Sequence, residues 1–162
     1  MASKYVDTTA IMQVIGSVFT NPSLLDLTDK YSIVDEDFPS DFHKVAFGAI
    51  YKLHELGAKT ITLESVSDFL ATRPKSEAIF KQQKGEEWLL KVAESSLPNA
   101  FDYYYLRLKK FTLLRAYDNY GVDVSDIYDA WALKFDGYTH FITLEFSPPE
   151  YDGFFSVRCM KD

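Results

Sequence analysis

Cysteine, glycine and basic residues are scarce in this chain. Its one cysteine, Cys159, cannot form a disulfide within the chain, which is typical of proteins from a reducing compartment. The 17 Lys and Arg against 24 Asp and Glu give a net charge of -7. This argues against a general DNA-binding surface, because phosphate contacts need clustered cations. No apolar run approaches the roughly 20 residues of a membrane span, and residues 1–7 do not form a signal peptide. Composition therefore predicts a cytoplasmic protein that does not cross a membrane.

The motifs of catalysis are missing as well. The phosphate-binding run Gly-x-x-x-x-Gly-Lys-Ser/Thr does not occur in the sequence, and no serine lies in a Gly-x-Ser-x-Gly motif. His43 and His54 would lie about 16 Å apart along one helix, which is too far to share a metal ion. Asp35 and Asp37 lack the glycine and the final glutamate of a calcium loop, so we expect them in a solvated loop. The sequence predicts no catalytic residue, no metal site and no cofactor.

The chain does have enough apolar residues for a core. Hydrophobic residues make up 47% and charged residues 25% of its 162 residues, as in soluble globular domains. Residues 38–57 predict a helix that Ser40 or Asp41 caps and Gly57 ends. Thr62 is expected to cap a shorter helix that follows. The predicted buried stripe of the longer helix consists of Phe42, Val45, Ala46, Ala49, Ile50, Leu53 and Leu56.

Further helices are expected on both sides of this pair. The first begins at Asp7 or one of the two threonines after it, and stops near Pro22, since proline disfavours helical geometry in the residue before it. Gly16 lies inside this helix, where glycine costs about 1 kcal/mol against alanine. Two explanations for a glycine at this position are open: close contact with another helix, or a helix that simply tolerates the cost. Helices over 76–84 and 86–95 follow, separated by a glycine.

The segment from Asn99 to Tyr120 predicts one long helix that ends at Gly121. Its apolar residues cover most of the helical circumference, which a helix packed along one face should not show. The segment therefore either breaks into a hairpin or packs on its own domain along one side and on another chain along the other. The residues expected at such an interface are Tyr103, Tyr104, Leu108, Phe111, Leu114 and Tyr117.

Four basic residues interrupt this apolar surface, and they are the candidates for a nucleic-acid contact: Arg107, Lys109, Lys110 and Arg115. Cations scattered round a helix are usually solvated or paired, so DNA binding is the weaker interpretation of this helix. Salt-dependent binding to single-stranded DNA would distinguish it from a protein interface.

Residues 130–162 differ in character from the rest. β-branched and aromatic residues alternate over 138–146, and Pro148 and Pro149 follow. This pattern predicts a strand or hairpin, or an ill-ordered tail.

Six segments follow one another in a recognisable order and spacing: Val14-Ile-Gly-Ser-Val-Phe19, Asp35-Glu-Asp-Phe38, His43 to Gly57, Ile61-Thr-Leu63, Glu87-Trp-Leu-Leu90 and residues 99–115. This order resembles the N-terminal domain of DnaB-type replicative DNA helicases, especially versions encoded by phages of Gram-positive hosts. The resemblance extends to about Asp129, and it depends on order and spacing rather than on one specific motif.

This resemblance implies an all-α fold. A compact bundle of about six helices is expected over residues 1–98, followed by hairpin helices for oligomerisation over 99–129 and a divergent tail over 130–162. It implies a noncatalytic interaction domain in DNA replication that self-associates as a dimer or hexameric collar and contacts the primase and the helicase loader. The family's ATPase domain lies downstream of this region, so the chain is not expected to unwind DNA by itself.

A second interpretation keeps this fold and changes the role. A stand-alone phage protein of this kind could act as a decoy or regulator that binds the host helicase, primase or loader, and the tail without family resemblance slightly favours it. The helicase-binding domain of primase is a related helical bundle, with which the chain could be confused.

Overall fold

Helices form the whole of the secondary structure in residues 5–121, the part of the chain that the computed structural model describes. Six of them are α-helices: α1 (Thr8–Thr20), α2 (Asp41–Glu55), α3 (Leu63–Ala71), α4 (Pro74–Gln82), α5 (Gly85–Ser95) and α6 (Phe101–Asn119). Short 3-10 helices lie at Pro22–Asp26, Asp35–Asp37 and Pro98–Ala100. The predicted all-α class is confirmed over these residues. The predictions for 122–129 and for the tail 130–162 concern segments outside them.

The helix ends lie close to the predicted positions. Asp7, Ser40 and Thr62 each accept a hydrogen bond from the backbone N–H three residues further on, and so cap α1, α2 and α3. Gly57 follows α2 with a φ of 93° and Gly121 follows α6 with a φ of 76°, a backbone conformation that glycine adopts without steric cost. Local sequence therefore determines where these elements begin and end.

The core is built around α1, which packs against both α5 and α6. Its residues Ile11, Val14, Ile15 and Val18 are completely buried. A helix in this position needs apolar side chains on more than one face, because it is covered from more than one direction.

The predicted buried stripe of α2 is correct for its middle and wrong at its end. Ala46, Ala49 and Ile50 are buried, but Leu56 is 77% exposed because it lies beyond the last helical turn, where the chain turns away towards Gly57. Phe47, which the stripe left out, is buried instead and packs on Phe38 with ring centroids 4.9 Å apart.

Gly16 marks the closest approach of α1 to α5. A β-carbon at this position would lie 2.4 Å from the carbonyl oxygen of Val92 and 3.2 Å from Cβ of Ser96. Such distances leave no room for any side chain, so close helix contact, and not tolerance, accounts for this glycine. Gly85 is the first residue of α5, and a β-carbon there would lie 2.4 Å from atoms of the Phe80 ring.

The long segment after residue 99 is one unbroken helix, α6, which packs along α1 and touches the 3-10 helix Asp35–Asp37. Of the two predicted alternatives, a break into a hairpin before Tyr120 is wrong. Packing on its own domain along one side is confirmed. Its buried residues are Phe101, Leu108, Leu114 and Arg115.

Candidate interaction surface

A line of mostly apolar residues runs along one side of α6 and includes its C-terminal cap, Tyr120. They follow one another at alternating spacings of three and four residues, the spacing of a helix-pairing seam. Tyr103, Leu106 and Tyr120 are 47%, 50% and 86% exposed, among the most exposed large apolar side chains of residues 5–121, and the other three are half-buried. We call this set the outer stripe: Tyr103, Leu106, Lys110, Leu113, Tyr117 and Tyr120.

The six residues predicted for the interface do not share one face. Tyr103 and Tyr117 belong to the outer stripe, whereas Leu108 and Leu114 are buried within the chain. Tyr104 is half-buried and packs against the core, and Phe111 is half-buried too. Leu108 and Leu114 therefore hold α6 in place and are not available to a partner.

Asp37 anchors α6 through Lys109 and Thr112. It is completely buried, so the predicted solvated loop is wrong at this position. Both carboxylate oxygens lie 2.9 Å from Nζ of Lys109, and the Thr112 hydroxyl donates to one of them at 2.8 Å. The backbone N–H of Val34 donates to the other at 2.9 Å. Such a carboxylate is stabilised by its own partners and leaves no free position for a metal ligand.

Two arginines of α6 hold the N-terminal segment. The guanidinium of Arg115 is buried and donates to the carbonyl oxygens of Tyr5, Glu36 and Asp37 at 3.1, 3.0 and 2.9 Å. Arg107 pairs with Asp7, the cap of α1, at 2.6 Å. These contacts, together with those of Asp37, fix the rotation of α6 about its axis and so determine which residues face outward.

The predicted nucleic-acid residues are therefore largely engaged within the chain. Arg107, Lys109 and Arg115 bind acidic side chains or backbone carbonyls of other elements. Lys110 is half-buried in the outer stripe, where burial lowers the pKa of its ammonium group and the charge of Arg107 lowers it further. Cations in these surroundings do not form the open basic surface that phosphate binding requires.

The two histidines of α2 are structural. Nδ1 of His43 lies 2.7 Å from the hydroxyl of Ser40, which also accepts from the His43 backbone N–H, and its ring packs against Trp88 with centroids 5.3 Å apart. His54 bridges α2 to Asp26, with Nε2 2.8 Å from the carboxylate. In residues 5–121 no group of three or more His, Cys, Asp or Glu side chains is placed to hold a metal ion.

We expect His43 to make stability depend on pH. Burial lowers the pKa of His43 below its ordinary value of 6.5, so the folded chain binds the proton less readily than the unfolded chain. The free energy of unfolding is therefore highest at pH values above 6.5, where His43 is neutral in both states. It decreases as pH falls from 6.5 through the lowered pKa of the folded chain. Thermal unfolding between about pH 7.5 and about pH 5.5 should show a falling Tm that is flatter in His43→Gln. Equal slopes in both proteins would contradict this account.

The described part of the chain contains no helix with the length and apolar character of a membrane span. Its fold is that of a known class of helical domain. It resembles the crystal structure of the N-terminal domain of DnaB helicase from Mycobacterium tuberculosis with a TM-score of 0.61 and 20% identity, over 80% of this chain and 89% of that one.

Sequence comparison defines the family. Residues 4–109, more than half of the chain, match the model of the DnaB-like helicase N terminal domain. The chain belongs to this family. It is also 39% identical over 123 residues to the SPbeta prophage-derived uncharacterized protein YorI of Bacillus subtilis (strain 168), a prophage relative. That alignment covers 76% of this chain, and the chain spans 24% of the relative's length.

Proposed function

We propose that this domain is a noncatalytic interaction module of a phage-type replicative helicase, and that it associates with a second copy through the outer stripe of α6. The observation that carries the proposal is the exposure of Tyr103, Leu106 and Tyr120 along α6 and its C-terminal cap. Family membership supports the helicase context, and the fixed rotation of α6 supports a preformed surface.

The composition of the outer stripe suits a protein partner. Tyrosine rings offer a large apolar face with a polar tip, and they are enriched where protein surfaces meet. Leu106 adds an aliphatic side chain that is half in solvent. Apart from Lys110, the set is apolar and lies along one side of α6 and its cap Tyr120. Exposed apolar surface of this kind marks interaction sites on soluble proteins.

The further partners that we propose are the primase and the helicase loader. Both follow from the helicase context and not from a particular contact in this chain. A role in DNA binding is not part of the proposal, because Arg107, Lys109 and Arg115 already bind groups of their own chain.

A single charge in the outer stripe should prevent self-association. Leu106→Asp places a carboxylate within an apolar contact, which leaves it desolvated and unpaired on assembly. We expect sedimentation velocity over a rising concentration series to show concentration-dependent association for the unchanged chain and a monomer for the variant. Circular dichroism should be unaltered, since the side chain is half exposed.

Leu90→Asp is the matched control for this experiment. Leu90 lies on α5, outside the outer stripe, and is 48% exposed against 50% for Leu106. The control should associate like the unchanged chain. Loss of association in both variants would indicate a nonspecific effect of charge, and loss in neither would exclude the outer stripe as the contact.

A further inference from the structure

One aromatic ring supplies the buried contact of α4 with the bundle. Of the nine residues of this helix, all within the described part of the chain, only Phe80 is buried. Its ring fills the space beside Gly85 at the start of α5, and its centroid lies 6.1 Å from that of Phe42 in α2. The salt bridge between Lys81 and Glu77 lies within α4 and joins it to no other element. Few buried contacts are typical of a segment that opens separately from its domain.

The helix α3 has the same length as α4 but is held more firmly. It buries Val66 and Leu70, and Thr62 caps its first turn. The first turn of α4 has no side-chain cap, which lowers the stability of a short helix further. An open groove of about 530 Å³ also lies beside Phe80, lined by Leu70 and Asp68 of α3. The packing of α4 on α3 is therefore incomplete.

The two ends of α4 are suited to act as hinges. Arg73, directly before α4, is fixed to α3, because its guanidinium donates to the carbonyl oxygen of Phe69 at 3.1 Å and lies 3.8 Å from the centre of the Phe69 ring. Lys84, between α4 and α5, has a φ of 52°. This left-handed conformation is costly for a residue with a β-carbon. Opening of α4 releases Lys84 from that conformation.

We propose that α4 is a strap that opens between Arg73 and Lys84 while the rest of the bundle stays folded. Phe80 is the contact that holds it closed, and Lys84 is the strained hinge that favours opening. The open form exposes the start of α5 and the side of the Phe42 ring that Phe80 covers, and so presents an apolar site that the closed form lacks. The strap does not depend on self-association or on the outer stripe.

Native-state hydrogen exchange of the full-length chain over a series of low denaturant concentrations tests the proposal. We expect the backbone amides of residues 77–82 to exchange at least about tenfold faster than those of residues 66–71 in α3. Their rates should depend little on denaturant, because opening of α4 exposes much less surface than global unfolding. Equal rates and equal denaturant slopes in α3 and α4 would overturn the proposal, since a short helix would then suffice to explain them.

Two neighbouring substitutions test the hinge. Lys84→Gly removes the strain and should slow exchange in α4 by roughly fivefold. Gln83→Gly is the matched control, because Gln83 has a φ of -96° and no strain to lose. It adds only freedom to the open chain and should speed exchange. Changes in the same direction would overturn the role of Lys84.

Gly16→Ala separates opening of α4 from global unfolding. The contact of Gly16 with Val92 joins α1 to α5 and is present whether α4 is open or closed. We expect the variant to speed exchange of the buried amides of α1 by about tenfold or more and to leave the amides of α4 unchanged. An equal rise in α4 would show that it opens only with the whole domain, which would overturn the proposal.

Discussion

Lys109→Met is expected to destabilise the domain by about 3 kcal/mol, because it leaves the buried carboxylate of Asp37 without its cation. That value is at the low end for a buried pair that loses one partner. Lys109 keeps 32% of its side chain exposed, whereas Asp37 has no exposed surface. The hydroxyl of Thr112 and the N–H of Val34 still donate to Asp37, but neither neutralises its charge. Chemical denaturation measures the change, and Tm should fall by roughly 10 °C.

Lys52→Met is the matched control. Lys52 pairs with Glu55 at 2.6 Å, but both side chains are about half exposed, so losing the pair should leave stability almost unchanged. Equal effects of the two substitutions would mean that Asp37 is satisfied by its remaining partners, which are Thr112, Val34 and the nearby charge of Arg115. A large effect of Lys109→Met alone would show that the anchor of α6 depends on charge. Since the anchor fixes the rotation of α6, it also determines which residues form the outer stripe.

The elements that could be predicted from the sequence are those that depend on neighbouring residues. The caps Asp7, Ser40 and Thr62 act on backbone groups three residues away, and Gly57 and Gly121 need a left-handed backbone. Such signals are complete within a short window of sequence. These local signals therefore predict most helix ends to within a few residues of their observed positions.

The incorrect predictions concern residues whose contacts lie far away in the sequence. Asp37 lies in an acidic stretch that suggests solvent, yet its partner Lys109 is 72 residues further along the chain. Lys84, directly before α5, adopts a φ of 52°. The break between the two helices was expected at the glycine beside it, but the helices on either side impose the turn on Lys84. Tertiary packing outweighs local preference at both positions.

The six residues predicted for an interface on α6 differ in burial. Apolar residues surround α6 in the sequence, so composition alone does not tell the buried Leu108 and Leu114 from the exposed Tyr103. Spacing does not separate them either, because steps of three and four residues also connect Phe101, Tyr104, Leu108, Phe111 and Arg115.

Gly16→Ala should be the most destabilising small substitution in α1, with a net loss of about 2 kcal/mol. In an open helix the change from glycine to alanine gains about 1 kcal/mol. Here the new β-carbon would lie 2.4 Å from the carbonyl oxygen of Val92 and 2.8 Å from its carbonyl carbon. These are backbone atoms of α5, which cannot rotate away as a side chain can, so the helices must separate, and overpacking of this kind costs up to about 3 kcal/mol.

Gly48→Ala provides the contrast within the same protein. Gly48 lies inside α2, and a β-carbon there would meet nothing within 4 Å, so only the helix preference acts and the variant should gain up to about 1 kcal/mol. Chemical denaturation of both variants should therefore give shifts of opposite sign from the same chemical change. Stabilisation by both would mean that α1 and α5 have room to separate at little cost. Opposite signs would show that Gly16 sets the distance between α1 and α5. That distance also determines where α1 lies when it packs against α6.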